Sequence, residues 1–178
     1  MTQTSHLKSA PITNLDATPV VPNTTGEGAP GYVRSVYGYV TAVAADAAGS
    51  TYQLVRVPSN AKVQSLQFQS EAQGAGKVQL GVYYSDSAVD GTAVANQGAV
   101  IDAKFFADDI DCASAVLPGE KVFYTGGSNT PDKRNQPLWQ AAGLSSDPGG
   151  FLDIVATVHT TAVTTGTGKI GLAAFFVD

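Results

Sequence analysis

From residue 34 onward the chain is cut into short runs in which apolar and polar residues alternate, and Gly, Pro, Asn or Asp stands between most of them. Alternation with a period of two places successive side chains on opposite faces of a strand, a pattern that a helix cannot satisfy. The run 77–84 is the clearest, with Val78, Leu80, Val82 and Tyr84 alternating with Lys77, Gln79, Gly81 and Tyr83. In 34–44, Tyr37 and Tyr39 face one way and Val36 and Val40 the other. Gly49 opens the run 50–57 and Pro58 ends it. The run 61–69 begins with Val63 on one face and finishes with Leu66 and Phe68 on the other, so a bulge is expected near Gln64-Ser65. Weaker runs follow at 99–106 and at 113–124, where Pro118-Gly119 interrupts. In 151–159 the pattern turns Leu152, Ile154, Ala156 and Val158 inward, against Asp153, Thr157 and His159, and 169–177 is the last run.

Roughly eight strands without a long helical pattern predict an all-β fold, an antiparallel two-sheet sandwich. That strand number favours a jelly roll over a seven-stranded immunoglobulin-like sandwich, and the Cys…Trp…Cys spacing of the latter is missing. Only 137–144 has room for a turn or two of helix. One internal echo supports the strand reading. The stretch 74–86 matches 166–178 at Gly74/Gly166, Gly76/Gly168, Lys77/Lys169, Leu80/Leu172 and Asp86/Asp178. Both read as a glycine turn leading into a buried strand, through an old duplication or through convergence on one hairpin solution.

Residues 1–33 differ in kind. Pro11, Pro19, Pro22 and Pro30 are scattered among Thr, Asn and Gly, and neither periodicity is visible. Prolines at that density favour extended backbone and remove donors. The expected division is therefore an extended N-terminal arm, 1–33, and a β-sandwich domain, 34–178. Taken alone the arm reads as a loose tail. Ile12, Leu15, Val20, Val21 and Tyr32 nevertheless make it more apolar than a solvated tail requires, as suits an arm lying along a neighbour. The segment 125–150 is long for a connection in a compact domain. It carries the sole tryptophan, Trp139, beside Leu138, either as a cap on the open end of the sandwich or as an interface anchor.

Charged residues make up 14% of the chain, against about 25% in ordinary soluble domains. Either a partner covers much of the surface, or Ser, Thr, Asn and Gln keep it polar. The formal charge is −5, and Lys133-Arg134 is the longest basic run, which argues against nucleic-acid binding. Cys112 has no second cysteine to pair with. Residues 1–10 lack the apolar stretch of a secretory signal, and no apolar run is long enough to span a bilayer. Synthesis without export is the expectation.

Candidate chemistry is sparse. Gly76-Lys77 and Gly168-Lys169 fail as phosphate loops, because Glu71 and Val163 stand where the first glycine belongs and Val78 and Ile170 where Ser or Thr belongs. Both glycines are expected to supply positive φ in hairpins. His6 and His159 have no ligand-spaced companion. Asp108, Asp109 and Asp111 lack the glycine and terminal Glu of a Ca²⁺ loop and read as a solvated turn, with weak Ca²⁺ binding left open. Cys112 is expected to pack as a small apolar residue, and no Gly-x-Ser-x-Gly elbow occurs. No catalytic centre, cofactor or metal site is expected.

Val36-Tyr37-Gly38-Tyr39-Val40, followed by Tyr52-Gln53-Leu54-Val55-Arg56-Val57-Pro58-Ser59-Asn60-Ala61-Lys62-Val63, resembles virion structural proteins of tailed bacteriophages. These include small capsid decoration, or cement, proteins with a jelly-roll fold. The resemblance covers roughly 34–178 and suits a chain with an arm. It implies a protein on the capsid exterior that staples neighbouring subunits, with the major capsid protein and its own copies, as dimer or trimer, for partners. No residue-level site carries over, because such proteins act through surfaces. The rival is a carbohydrate- or receptor-binding sandwich of a phage tail or fibre, for which Tyr37, Tyr39 and Tyr83 are the candidate aromatic platform.

Overall fold

A computed structural model describes residues 6–19, 21, 33–85, 98–118, 126–160, 162–163 and 168–177. Its strands are β1 (His6–Lys8), β2 (Arg34–Thr41), β3 (Thr51–Pro58), β4 (Lys62–Ser70), β5 (Lys77–Tyr84), β6 (Val100–Asp111), β7 (Phe151–His159) and β8 (Lys169–Val177). Two short helices, α1 (Ala10–Asp16) and the single turn α2 (Leu138–Ala141), complete the regular elements with a 3-10 turn at Pro131–Lys133. One sheet has five strands in the order β1-β3-β7-β5-β6, and the other has three, β2-β8-β4. The chain crosses repeatedly between them, and both line one continuous core that includes Leu54, Phe68, Leu80, Phe105, Ile154 and Leu172. This is the all-β sandwich that the alternation predicts.

Several local expectations hold. The register of β4 against β8 slips between Val63 and Ser65, where the phase change in the sequence places a bulge. Val36 and Val40 are buried while Tyr37 and Tyr39 are exposed. The echoing segments become β5 and β8, each an internal strand, in opposite sheets. Helix α2 falls within the stretch expected to allow one.

Other expectations change. Residues 6–16 are not devoid of regular structure: β1 runs parallel to β3, with His6 opposite Thr51, and α1 follows directly. That pair is the exception in an otherwise antiparallel arrangement, possible because β1 reaches β3 through α1 and β2 instead of a hairpin. Ser9 precedes α1 in extended conformation and Pro11 lies in its first turn, a start signal hidden by the density of prolines. The acidic cluster sits at the end of β6 and not in a free turn, because that strand continues to Asp111. Among the described part of 113–124 there is no strand, only a bridge between Val116 and Ser70; 119–124 lie outside the described residues. Gly76 and Gly168 do not have positive φ. Close approach explains them better, since a Cβ on Gly168 would come within 2.3 Å of the Gln73 amide.

The outer side of the five-stranded sheet is covered around β3 and β7. Arg56 and Asp153 are register partners there, and both are buried. The Arg56 guanidinium donates Nε to Asp153 Oδ1 at 2.6 Å and Nη2 to Oδ2 at 2.9 Å, a forked pairing of good geometry. Its Nη1 donates to Asp16 Oδ1 at 2.6 Å, which ties the end of α1 to the sheet. Burial works against the Arg56 charge, but the carboxylates of Asp153 and Asp16 outweigh it. Asp153 is therefore not a solvent-facing strand residue, as alternation alone suggests. Ser9 adds a side-chain hydrogen bond to the Leu54 carbonyl. A second buried polar pair closes the other end of β3, where the Tyr52 hydroxyl donates to Asp46 at 2.7 Å.

A candidate binding groove on the three-stranded sheet

Among the described residues, the outer side of β2-β8-β4 has no such cover. Strand β2 alternates strictly, so Tyr37 and Tyr39 leave the core together, 44% and 48% exposed. Their ring centroids lie 6.4 Å apart with the planes tilted by 34°. On the central strand, Gly171 stands opposite Tyr39 on one side and Gln69 on the other. The absence of a side chain there lets Tyr37 lean diagonally across β8. A Cβ on Gly171 would come within 2.8 Å of the Tyr37 hydroxyl and 3.4 Å of Cε2. Tyr37 thereby reaches β4, where the Gln69 amide donates to its hydroxyl.

Charge enters at one end of this platform. Lys169 Nζ lies 5.9 Å from the centroid of the Tyr39 ring, within cation–π range. The Lys169 backbone N–H donates to Glu71 Oε2 at 2.8 Å, and the Glu71 N–H donates to the Lys169 carbonyl at 2.9 Å. A second wall is formed by residues 115–118, held to the end of β4 by reciprocal backbone hydrogen bonds between Ser70 and Val116. Platform and wall enclose a groove of about 530 Å³. Leu117, 67% exposed, stands on its rim. Among the described residues seven large apolar side chains are exposed, and Tyr37, Tyr39 and Leu117 meet in this one place.

The residues singled out from sequence fall elsewhere. Ile12 is fully buried within the folded body, and Leu15 is half-buried on the same helix. Val21 is exposed, whereas Val20 and Tyr32 lie outside the described residues. Leu138 belongs to the core and half-buried Trp139 packs against it, with their backbone N–H groups donating to the carbonyls of Ala61 and Ser59. Tyr83 does not join Tyr37 and Tyr39: it is buried, and its hydroxyl pairs with Thr157 at 2.7 Å. Gln69, Glu71, Lys169 and Gly171 escaped sequence reasoning, because strand pairing brings them together from runs about a hundred residues apart in the chain. The period-two pattern shows which residues leave the core but not which strands lie side by side.

The acidic cluster has basic and amide partners. Asp109 accepts from Lys77 Nζ at 2.7 Å, Asp108 from Gln79 Nε2 at 2.7 Å, and Asp111 from the Ala113 N–H at 2.9 Å. Among the described residues no three His, Cys, Asp or Glu side chains are grouped to hold a metal ion. Cys112 is buried, and burial pushes its thiol up to about 11, which keeps it protonated and unreactive at neutral pH. Among the described residues no helix is long and apolar enough to cross a membrane.

No protein-family model matches the sequence, and a comparison with curated proteins gives no match. Solved structures do. A chain in the capsid asymmetric unit of cyanophage Pam1 aligns over 91% of this chain and 96% of its own length at 17% identity, but its TM-score of 0.35 is too low to bear on the fold. A chain of the capsid of Ralstonia phage GP4 aligns over 98% of both chains at 14% identity, with a TM-score of 0.61. This protein shares its fold, over nearly its whole length, with that capsid chain.

Proposed function

We propose that this chain is a non-catalytic structural protein of a tailed-phage virion that binds the outer capsid surface and staples neighbouring subunits. The observation that carries the reading is the end-to-end likeness of fold to a chain of the Ralstonia phage GP4 capsid. The low charge content supports it, because a surface poor in charge is one that an assembly covers. Its partners are the major capsid protein and other copies of itself, as dimer or trimer. Among the described residues of 1–33, Val21 and Val33 are exposed apolar side chains, and Leu15 and Trp139 are half-buried at the body. Contact through Leu15, Val21 and Trp139, and through Val20 and Tyr32, is part of the proposal. Ile12 and Leu138 act from inside by holding α1 and α2 in place.

Mass action provides the mechanism. A protein that binds only the assembled lattice stabilises it by its binding free energy, and many copies add up contacts that are individually weak. The test is to mix purified protein with capsid shells that lack it and to measure occupancy and shell melting. Saturable binding, a higher melting temperature and tolerance of moderate salt are expected. Binding that leaves shell stability unchanged would overturn the stapling role. Failure of shells to form at all without the protein would make it a building unit of the shell rather than an addition to it.

A further inference from the structure

We propose that the groove on the outer side of the three-stranded sheet is a binding site for a neutral oligosaccharide, with Tyr37 as the stacking platform. Tyr37 lies across Gly171 with its hydroxyl fixed by Gln69, so the ring is set in place before any ligand arrives. A preset aromatic face loses little freedom on binding, and it suits the apolar C–H face of a sugar ring. Polar groups surround it at short range: the Gln69 amide, the Glu71 carboxylate and the Lys169 ammonium together offer donors and acceptors to ring hydroxyls. The groove is lined by apolar and polar groups in nearly equal measure, and about 530 Å³ lies within the usual range of small-ligand sites.

Two features narrow the ligand class. Glu71 and Lys169 are the charged residues of the lining, one of each sign, so the groove favours neither a polyanion nor a cation. A peptide adding as a strand would pair along the outer edge of β2 or β4 and not on the face where the groove lies. Its floor is the central strand β8, hydrogen-bonded on both sides, and its wall at Val116 is already paired with Ser70. Ring stacking and hydroxyl recognition remain. Individual affinity is expected to be weak, in the range of about 0.1–1 mM, and multiplied where many copies share one surface.

The test uses the whole chain, free of any shell, so its outcome is independent of capsid binding. Hexasaccharides of α-1,4-glucan, β-1,4-glucan and β-1,4-mannan, a sialylated trisaccharide and a proline-rich decapeptide are titrated while amide chemical shifts are followed. At least one neutral sugar should shift Tyr37, Tyr39, Gln69 and Gly171 and saturate. Tyr37→Ala should weaken that binding by about tenfold or more, while Tyr83→Phe leaves it unchanged. Gly171→Ala, which displaces the Tyr37 ring without altering its chemistry, should also weaken it. If no neutral sugar shifts the groove at about 10 mM, a concentration that detects millimolar affinity, the proposal fails. It fails equally if only the decapeptide or the charged sugar binds there, or if binding survives in folded Tyr37→Ala. Should that variant not fold, the shift map of the unaltered protein decides: changes centred away from β2 and β8 sink the idea.

Discussion

Among the described residues, the five-stranded sheet is covered on both sides at β3 and β7, whereas the three-stranded sheet is covered on one. In β3 every residue between the two ends is buried; in β2 burial alternates without a break. Both strands are eight residues long and rich in apolar and aromatic side chains. What separates them among the described residues is a short N-terminal segment, β1 with α1, which pairs with β3 and whose Asp16 reaches the buried Arg56 there, while the outward tyrosines of β2 stay exposed. Stability and recognition are thus placed on different sheets, and changes to one should leave the other intact.

The largest expected effect lies on the covered side. Asp153→Ala leaves the Arg56 guanidinium with Asp16 as its remaining described carboxylate partner, and breaking a buried pair costs about 3–5 kcal/mol. Urea unfolding should show that loss, while sugar titration of the folded fraction should not change. An unchanged midpoint would mean that Arg56 is solvated and the cover is loose. Next comes Ile12→Ala, which removes a fully buried side chain from α1 and should cost about 2–5 kcal/mol in the isolated protein. If it instead weakens only shell binding, Ile12 faces a partner and not the body.

Acid should act on the same cover by a smaller amount. Burial pushes the Asp16 carboxyl up, but hydrogen bonds and charge from Lys8 and Arg56 prevail and hold it below its ordinary value. A carboxyl lowered by folding contributes stability that is present above its unfolded value of about 3.9 and is lost as pH falls through the folded one. Hydrogen exchange should therefore show α1 loosening below about pH 4, and Asp16→Asn should abolish that step. The smallest expected effect belongs to the bare side. Tyr37→Ala and Tyr39→Ala should each change unfolding free energy by no more than about 0.5 kcal/mol, as for other exposed positions. A large loss there would show that the platform holds the sheet together instead of awaiting a ligand.

How much of this was legible in the sequence follows the same line. Where one side of a strand meets the core and the other meets water, alternation reports the structure directly: Tyr37 and Tyr39 outward, Val36 and Val40 inward, and the slip at Val63/Ser65. Where a second layer covers the sheet, the pattern loses its meaning, and Asp153 reads as exposed although it is fully buried. Four prolines across residues 1–33 hid β1 and α1, since the same Pro11 that starts a helix also counts toward an extended segment. The groove was half visible, through its tyrosines. Its other half, Gln69 and Gly171, depends on which strands become neighbours, and periodicity carries no information about that.

The position of β8 also bears on the order of synthesis. It is the central strand of the three-stranded sheet, yet it follows both of its neighbours in the chain. Strand β4 ends at Ser70 and β8 begins at Lys169, so at roughly 5–20 residues per second β2 and β4 leave the ribosome several seconds before the strand that joins them. Until then the tyrosine-bearing β2 has no hydrogen-bonded partner in its own sheet. The five-stranded side can pair β5 with β6 much earlier, but its joining strand β7 ends at His159, only ten residues before β8 begins. A ribosome stalled before Lys169 would hold a chain that lacks the central strand of the three-stranded sheet, and the tyrosine groove would not yet exist.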